Sequence, residues 1–218
     1  MNKTKDIDAS DILNIYRHNT LFDRLHVWIR FKTCPFLAIE RFIPKTGMII
    51  DYGCGHGIFS HILSMMSADR IVYGVDASIS KIEAAKKTVT QENNLKFLNN
   101  TDIDSLIKVA DCIALLDVIC YFSKREQENI LRRFYQHLKQ GAILIIKDIN
   151  KEFSLKFIWL YLQEIIAVKI LKITQGSYLN FLNAGYLSNL LKDIGFEVNM
   201  VKLDKNYLYP HIAFICKK

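Results

Sequence analysis

Residues 48–57, MIIDYGCGHG, constrain this chain most, because an apolar strand turns directly into a loop of three alternating glycines and then into a helix. Met48, Ile49 and Ile50 read as a buried strand with Asp51 at its carboxyl end. Gly53, Gly55 and Gly57 leave no Cβ between the turning backbone and a ligand, and a helix is expected to begin near Ile58.

The glycine spacing separates two ligand classes. Dinucleotide turns place glycines first, third and sixth so that a pyrophosphate rests on the helix N-terminus. Here the sixth position is Ile58, and the glycines fall at one, three and five behind an acid. A carboxylate at Asp51 suits a ligand carrying an amino group and a sulfonium, and would repel a pyrophosphate.

A second strand, RIVYGVD, ends in Asp76, where an acid can accept both hydroxyls of a ribose. The plain alternative for Asp76 is to cap a helix expected over residues 79–90, a role that Ser78 can fill. A third unit, ADCIALLDVICYF, carries Asp117 at the strand exit, followed by Ser123 and Glu126 in capping-box spacing. The announced helix runs through Leu131, Phe134 and Leu138 and is expected to stop at Gly141, before the buried strand AILIIKD. Four rounds of strand and helix predict an α/β fold with a parallel sheet covered on both faces and ligand loops at the strands' carboxyl ends.

From residue 48 onward, the order of these motifs resembles the class I S-adenosylmethionine-dependent methyltransferase family, and the glycine loop resembles its first motif. The resemblance implies a Rossmann-like, seven-stranded, mostly parallel sheet with an antiparallel C-terminal hairpin, for which residues 196–203 and 207–217 supply the strands. It also implies S-adenosyl-L-methionine as cofactor and S-adenosyl-L-homocysteine as product, with no metal. On that reading Asp51, Gly53, Cys54, Gly55 and Gly57 cradle the methionine part, Asp76 and Ala77 meet the ribose, and Thr101 or Asp102 lies at the adenine edge. Asp117 and Val118, in DVICY, resemble the fourth motif, where relatives often carry a histidine at the place of Cys120. The implied activity is methyl transfer by in-line displacement.

An acceptor that must lose a proton needs a base near the strand ends. Tyr121, Lys147, Asp148 and His211 are the catalytic candidates. Each has a plain alternative: Asp148 as a cap, Lys147 as a solvated strand-end charge, His211 after Pro210 as part of a bulge. His56, inside the loop, is placed against cofactor or helix.

With 218 residues, half of them hydrophobic, one domain is expected over 1–218. It divides into an N-terminal helical lid (1–44), a cofactor-binding core (45–150), an inserted helical segment (151–182) and a C-terminal helix with strands (183–218). The 29 basic and 22 acidic residues give net +7, spread in ones and twos without a basic block, which disfavours nucleic acid. Five cysteines without a CxxC pair read as reduced thiols, and no signal peptide is visible, so a cytoplasmic, soluble protein is expected.

Asn19 or Thr20 can cap a helix whose Leu21, Phe22, Leu25, Trp28 and Ile29 fall on one face. That face either packs on the domain or closes over the cofactor and lines an acceptor pocket, with Tyr16 and His18 nearby. Residues 154–173 are apolar nearly all round, which leaves burial, homodimer contact, or contact with an acyl chain or a membrane surface open. The expected acceptor is a small or lipid-like molecule, acyl or aryl. The alternative function is a non-catalytic cofactor-binding or scaffold protein using 154–173 for interaction.

Overall fold

The structure is a computed structural model that describes residues 7–89, 94–99, 103–150 and 183–218. Thr101, Asp102 and 154–173 lie outside the described residues. Seven strands form one sheet: β1 (Gly47–Tyr52), β2 (Arg70–Asp76), β3 (Leu95–Asn99), β4 (Cys112–Leu116), β5 (Ile143–Ile149), β6 (Glu197–Lys202) and β7 (His211–Lys217). Their spatial order is β3-β2-β1-β4-β5-β7-β6. The first five run parallel, and β7 is reversed against both β5 and β6, as expected of the C-terminal hairpin.

Alternation along the strands builds two cores. Ile49, Val72, Cys112, Ala114 and Ile145 face one cluster, whereas Ile50, Val75, Ile113, Leu144 and Ile146 face the other. The first is covered by α1 (Ala9–Ile15), α2 (Leu21–Thr33), α3 (Phe36–Glu40), α4 (Ile58–Met66) and α5 (Ile79–Lys86). The second is covered by α6 (Asp104–Val109), α7 (Lys124–His137) and α8 (Ala184–Ile194). Both strand faces being buried explains why β4 reads as a continuous apolar run.

Local signals set the helix ends, with some shifts. Thr20 caps α2, its Oγ1 accepting from Asp23 N, and Ser123 with Glu126 forms the expected capping box of α7. α7 ends at His137, and Gly141 (φ +81°) sits in the turn that follows. α5 stops at Lys86, short of its expected end.

The apolar face of α2 behaves as neither alternative predicted. Leu21 is 80% exposed, Phe22 67%, Leu25 56%, and Trp28 and Ile29 45% each; Val27 is the buried residue of this helix. The helix is inverted because the surface beneath it is polar: Asp23 reaches His56 of the glycine loop at 3.2 Å and Arg30 reaches Asp117 at 2.8 Å. At the other end of the sheet, fully buried Arg70 pairs with Glu40 of α3 at 2.7 Å and donates to the carbonyls of Ile43, Pro44 and Leu63.

Candidate active site

The glycine loop leaves β1 pinned to β2, with Gly53 N and Cys54 N both donating to Val75 O at 2.7 and 3.0 Å. Its three glycines all have positive φ, +77°, +57° and +83°, which a side chain adopts only under strain. Their surroundings differ. A Cβ on Gly53 would lie 2.4 Å from Val118 Cγ2 and one on Gly57 2.4 Å from Phe97 Cζ, whereas one on Gly55 would meet nothing within 4 Å. Gly53 and Gly57 let the loop pack, and Gly55 presents the open face.

Two carboxylates flank that face. Asp51 is 2% exposed and accepts a 2.6 Å hydrogen bond from Ser60 Oγ on α4. Burial pushes its carboxyl up to about 7, against the lowering hydrogen bond from Ser60 and with help from the charge of Asp76. Asp76 accepts from Gly55 N on one oxygen and from Ser78 N on the other, both at 2.8 Å. Ser78 occupies the N-cap of α5 without a side-chain cap bond, so Asp76 is not freed from that turn as the sequence suggested. A carboxylate still has about four lone-pair sites, which leaves room for further donors. Ala77 lies between them, its carbonyl accepting from Asn99 Nδ2 at 3.1 Å.

The N-terminal helices rest on the loop itself. Buried Tyr16 Oη donates to His56 O at 2.7 Å, and the ring of His26 lies 4.9 Å from that of His56. Burial holds the His26 imidazole down at about 4, with the neighbouring His56 adding to it.

Across the sheet, Asp117 follows β4 with φ +57°, and its carboxylate takes Lys147 Nζ at 2.6 and 2.7 Å and Arg30 Nη2 at 2.8 Å. Burial alone would raise this carboxyl, but the Lys147 and Arg30 cations outweigh it and hold it well below the usual carboxylate range. Val118 packs under Gly53, and Cys34 Sγ lies 4.0 Å from Asp117. Val118 under the glycine loop and Asp117 in this ion cluster are therefore adjacent in the chain.

The four catalytic candidates do not converge. Lys147, fully buried, and His211 lie on the same side of the sheet, while Asp148 points to the other core. Lys147 donates to both oxygens of Asp117. Asp148 accepts from Ile149 N at 2.7 Å, and burial with the nearby Asp117 charge pushes it up to about 7. His211 Nε2 lies 2.8 Å from Thr33 O, which must accept, so Nε2 carries the proton and Nδ1 is a bare, buried acceptor without a partner among the described residues. Burial, then the Lys147 charge, lowers its imidazole to about 3. Tyr121, 38% exposed, ends a single 3-10 turn after Asp117.

Arg30 and Ser60 were missed from sequence. Arg30 sits with Asp23 opposite the apolar stripe of α2, which was a legible sign that two sides of that helix had work to do. Ser60 gave no signal beyond its place in the first turn after the loop.

A model of a methyltransferase domain matches residues 29–201. The mitochondrial ubiquinone biosynthesis O-methyltransferase of Schizosaccharomyces pombe is 24% identical over 162 residues, 71% of this chain and 56% of that protein. The carboxy-S-adenosyl-L-methionine synthase of Campylobacter curvus is 22% identical over 128 residues, 56% of this chain and 55% of that protein. The chain thus spans a little over half the length of these relatives. Among solved structures, magnesium protoporphyrin IX methyltransferase from Synechocystis with bound S-adenosylhomocysteine superposes with a TM-score of 0.66 at 19% identity, covering 94% of each chain. The match over most of the chain, on this sheet order and this glycine loop, shows that the chain belongs to the class I methyltransferase-domain family, whose cofactor is S-adenosylmethionine.

Proposed function

We propose that the chain transfers a methyl group from S-adenosylmethionine to a small, largely apolar acceptor by in-line displacement. The observation that carries this reading is the open face of Gly55 between Asp51 and Asp76, a cradle that a Cβ would fill. Its donor set fits the cofactor: two carboxylates for a cationic, hydroxylated ligand, with no side chain between the backbone and the ligand.

Asp51 and the backbone of Gly53, Cys54, Gly55 and Gly57 would hold the amino-acid part, Asp76 and Ala77 the ribose, and Val118 with the backbone of Asp117 the wall beneath. When bound, the cofactor supplies an electrophilic methyl on a sulfonium that needs no covalent enzyme intermediate. The chain's contribution is to exclude water and hold the acceptor in line. A cavity of about 180 Å³, lined by Phe31, Cys34, Phe36, Leu37 and Tyr207 with Lys32 at its wall, adjoins the Asp117 cluster and is the acceptor's proposed place. The edge of the Tyr207 ring meets His211, centroids 5.5 Å apart, so the bare Nδ1 of a neutral His211 is the proposed partner of an acceptor hydroxyl.

The test is calorimetric titration with S-adenosylmethionine, S-adenosylhomocysteine and a nicotinamide dinucleotide. Selective binding of the first two supports the reading, and binding of neither sinks it.

A further inference from the structure

We propose that the outer face of α2 is a docking face for an anionic lipid surface. At about 100° per residue, Trp28, Leu21, Leu25, Ile29 and Phe22 occupy an arc of roughly 120°. All five are at least 45% exposed, and the polar side of the same helix is committed to Asp117 and His56. A helix normally turns such an arc inward; here burial of the charged side has left the apolar side facing outward.

The charges around the arc favour lipid. Lys32 falls within it and Arg17 precedes the helix, both exposed, so ammonium and guanidinium groups flank an aromatic and aliphatic strip. Asp23 is turned inward, and Asp8, whose carboxylate feels Lys32, is engaged in capping α1. The chain carries net +7, which an anionic surface attracts. A second copy is the poorer occupant. Thirteen residues make a helix about 20 Å long. Its face covers a few hundred Å², against the roughly 800 Å² per partner of a stable interface, and a two-fold would bring the same cations together.

The arc also ends at the acceptor cavity, since Lys32 belongs to both the strip and the cavity wall, and exposed Leu37 of α3 lines the same wall. A surface lying on α2 would therefore border the cavity mouth, and an acceptor dissolved in that surface would enter without crossing water. The docking itself does not depend on the methyltransferase reading and is tested without cofactor.

Trp28 and Trp159 are the two tryptophans, so a Trp159→Phe full-length chain leaves Trp28 as the fluorescent reporter. Vesicles of phosphatidylcholine mixed with phosphatidylglycerol should shift Trp28 emission to the blue and co-sediment the protein, phosphatidylcholine alone much less. Leu25→Glu should weaken that partition by at least about tenfold with an unchanged circular dichroism spectrum. Should Leu25→Glu fail to fold, Leu21→Ser, at the most exposed position of the helix, reads the same loss. Unshifted Trp28 emission with vesicles, or equal sedimentation of the variants, overturns the proposal. So does a concentration-dependent dimer that these variants abolish, because it assigns the face to a second copy.

Discussion

Arg30 Nη2 lies 2.8 Å from Asp117 Oδ2 while Lys147 Nζ holds the same carboxylate from the sheet side, so one residue after β4 ties the N-terminal helices to the strand ends. The cluster has two cations and one anion, and removing the anion leaves Lys147 buried without a counter-charge. Asp117→Ala should destabilise the fold by about 3–5 kcal/mol. Arg30, whose side chain is 33% exposed, should cost about 1 kcal/mol or less on replacement by Ala. Urea denaturation measures both, and an Asp117→Ala loss no larger than that of Arg30→Ala would refute the buried-charge account.

The two ends of the glycine loop predict opposite kinds of defect. Gly53→Ala drives a Cβ into Val118 at positive φ and should impair folding, with Val118→Ala restoring only the steric share. Gly55→Ala meets no atom and should cost roughly 1–2 kcal/mol for its φ alone, yet it should reduce S-adenosylmethionine affinity well beyond that. Thermal denaturation read beside calorimetry separates the two. Normal cofactor affinity in Gly55→Ala would remove that glycine from the binding face.

Asp51 and Asp117 act on stability at different pH. The folded-state carboxyl of Asp51 is raised to about 7, so its contribution is fully present below the usual carboxylate range and is lost as pH rises toward 7. Asp117 is depressed, so its contribution is present above that range and is lost on acidification. Asp51→Asn should flatten the fall in stability between about pH 4 and 7. A cationic cofactor beside Asp51 should also expel its proton. Calorimetry at pH 6 in two buffers of different ionisation enthalpy should show proton release, absent in Asp51→Asn.

Tyr16→Phe should cost about 0.5–1.5 kcal/mol through the lost hydrogen bond to His56 O. It should weaken cofactor binding as well, because that bond steadies the loop. Unchanged stability and affinity would make the contact incidental.

The sheet was legible because β1, β2, β4 and β5 are apolar, short and closed by an acid or a glycine, and because Ser123 and Glu126 announce their helix chemically. The strand-end acids Asp51, Asp76 and Asp117 were legible for the same reason. Pairings between distant elements were not. Nothing in the residues around Arg30 says that its partner lies 87 positions away, and the stripe on α2 has the period of a buried face whichever way it points. Periodicity reports that a helix has two sides, and the underlying surface decides which is turned in. At Asp76 a local rule misled, since the serine able to cap α5 leaves the backbone donors to the aspartate.

The buried pair of Arg70 with Glu40 bears on how this protein can be dissected. Glu40 belongs to the N-terminal segment and Arg70 to the sheet, and Ile12, Tyr16, Val27, Ile39 and Ile43 share one core with Ile49 and Phe59. A shortened version beginning at Lys45 would strip a guanidinium of its carboxylate and lay bare one side of the central strand. The helices over the site are thus a foundation as much as a cover, because α3 and the Arg70 anchor tie them to the sheet beneath.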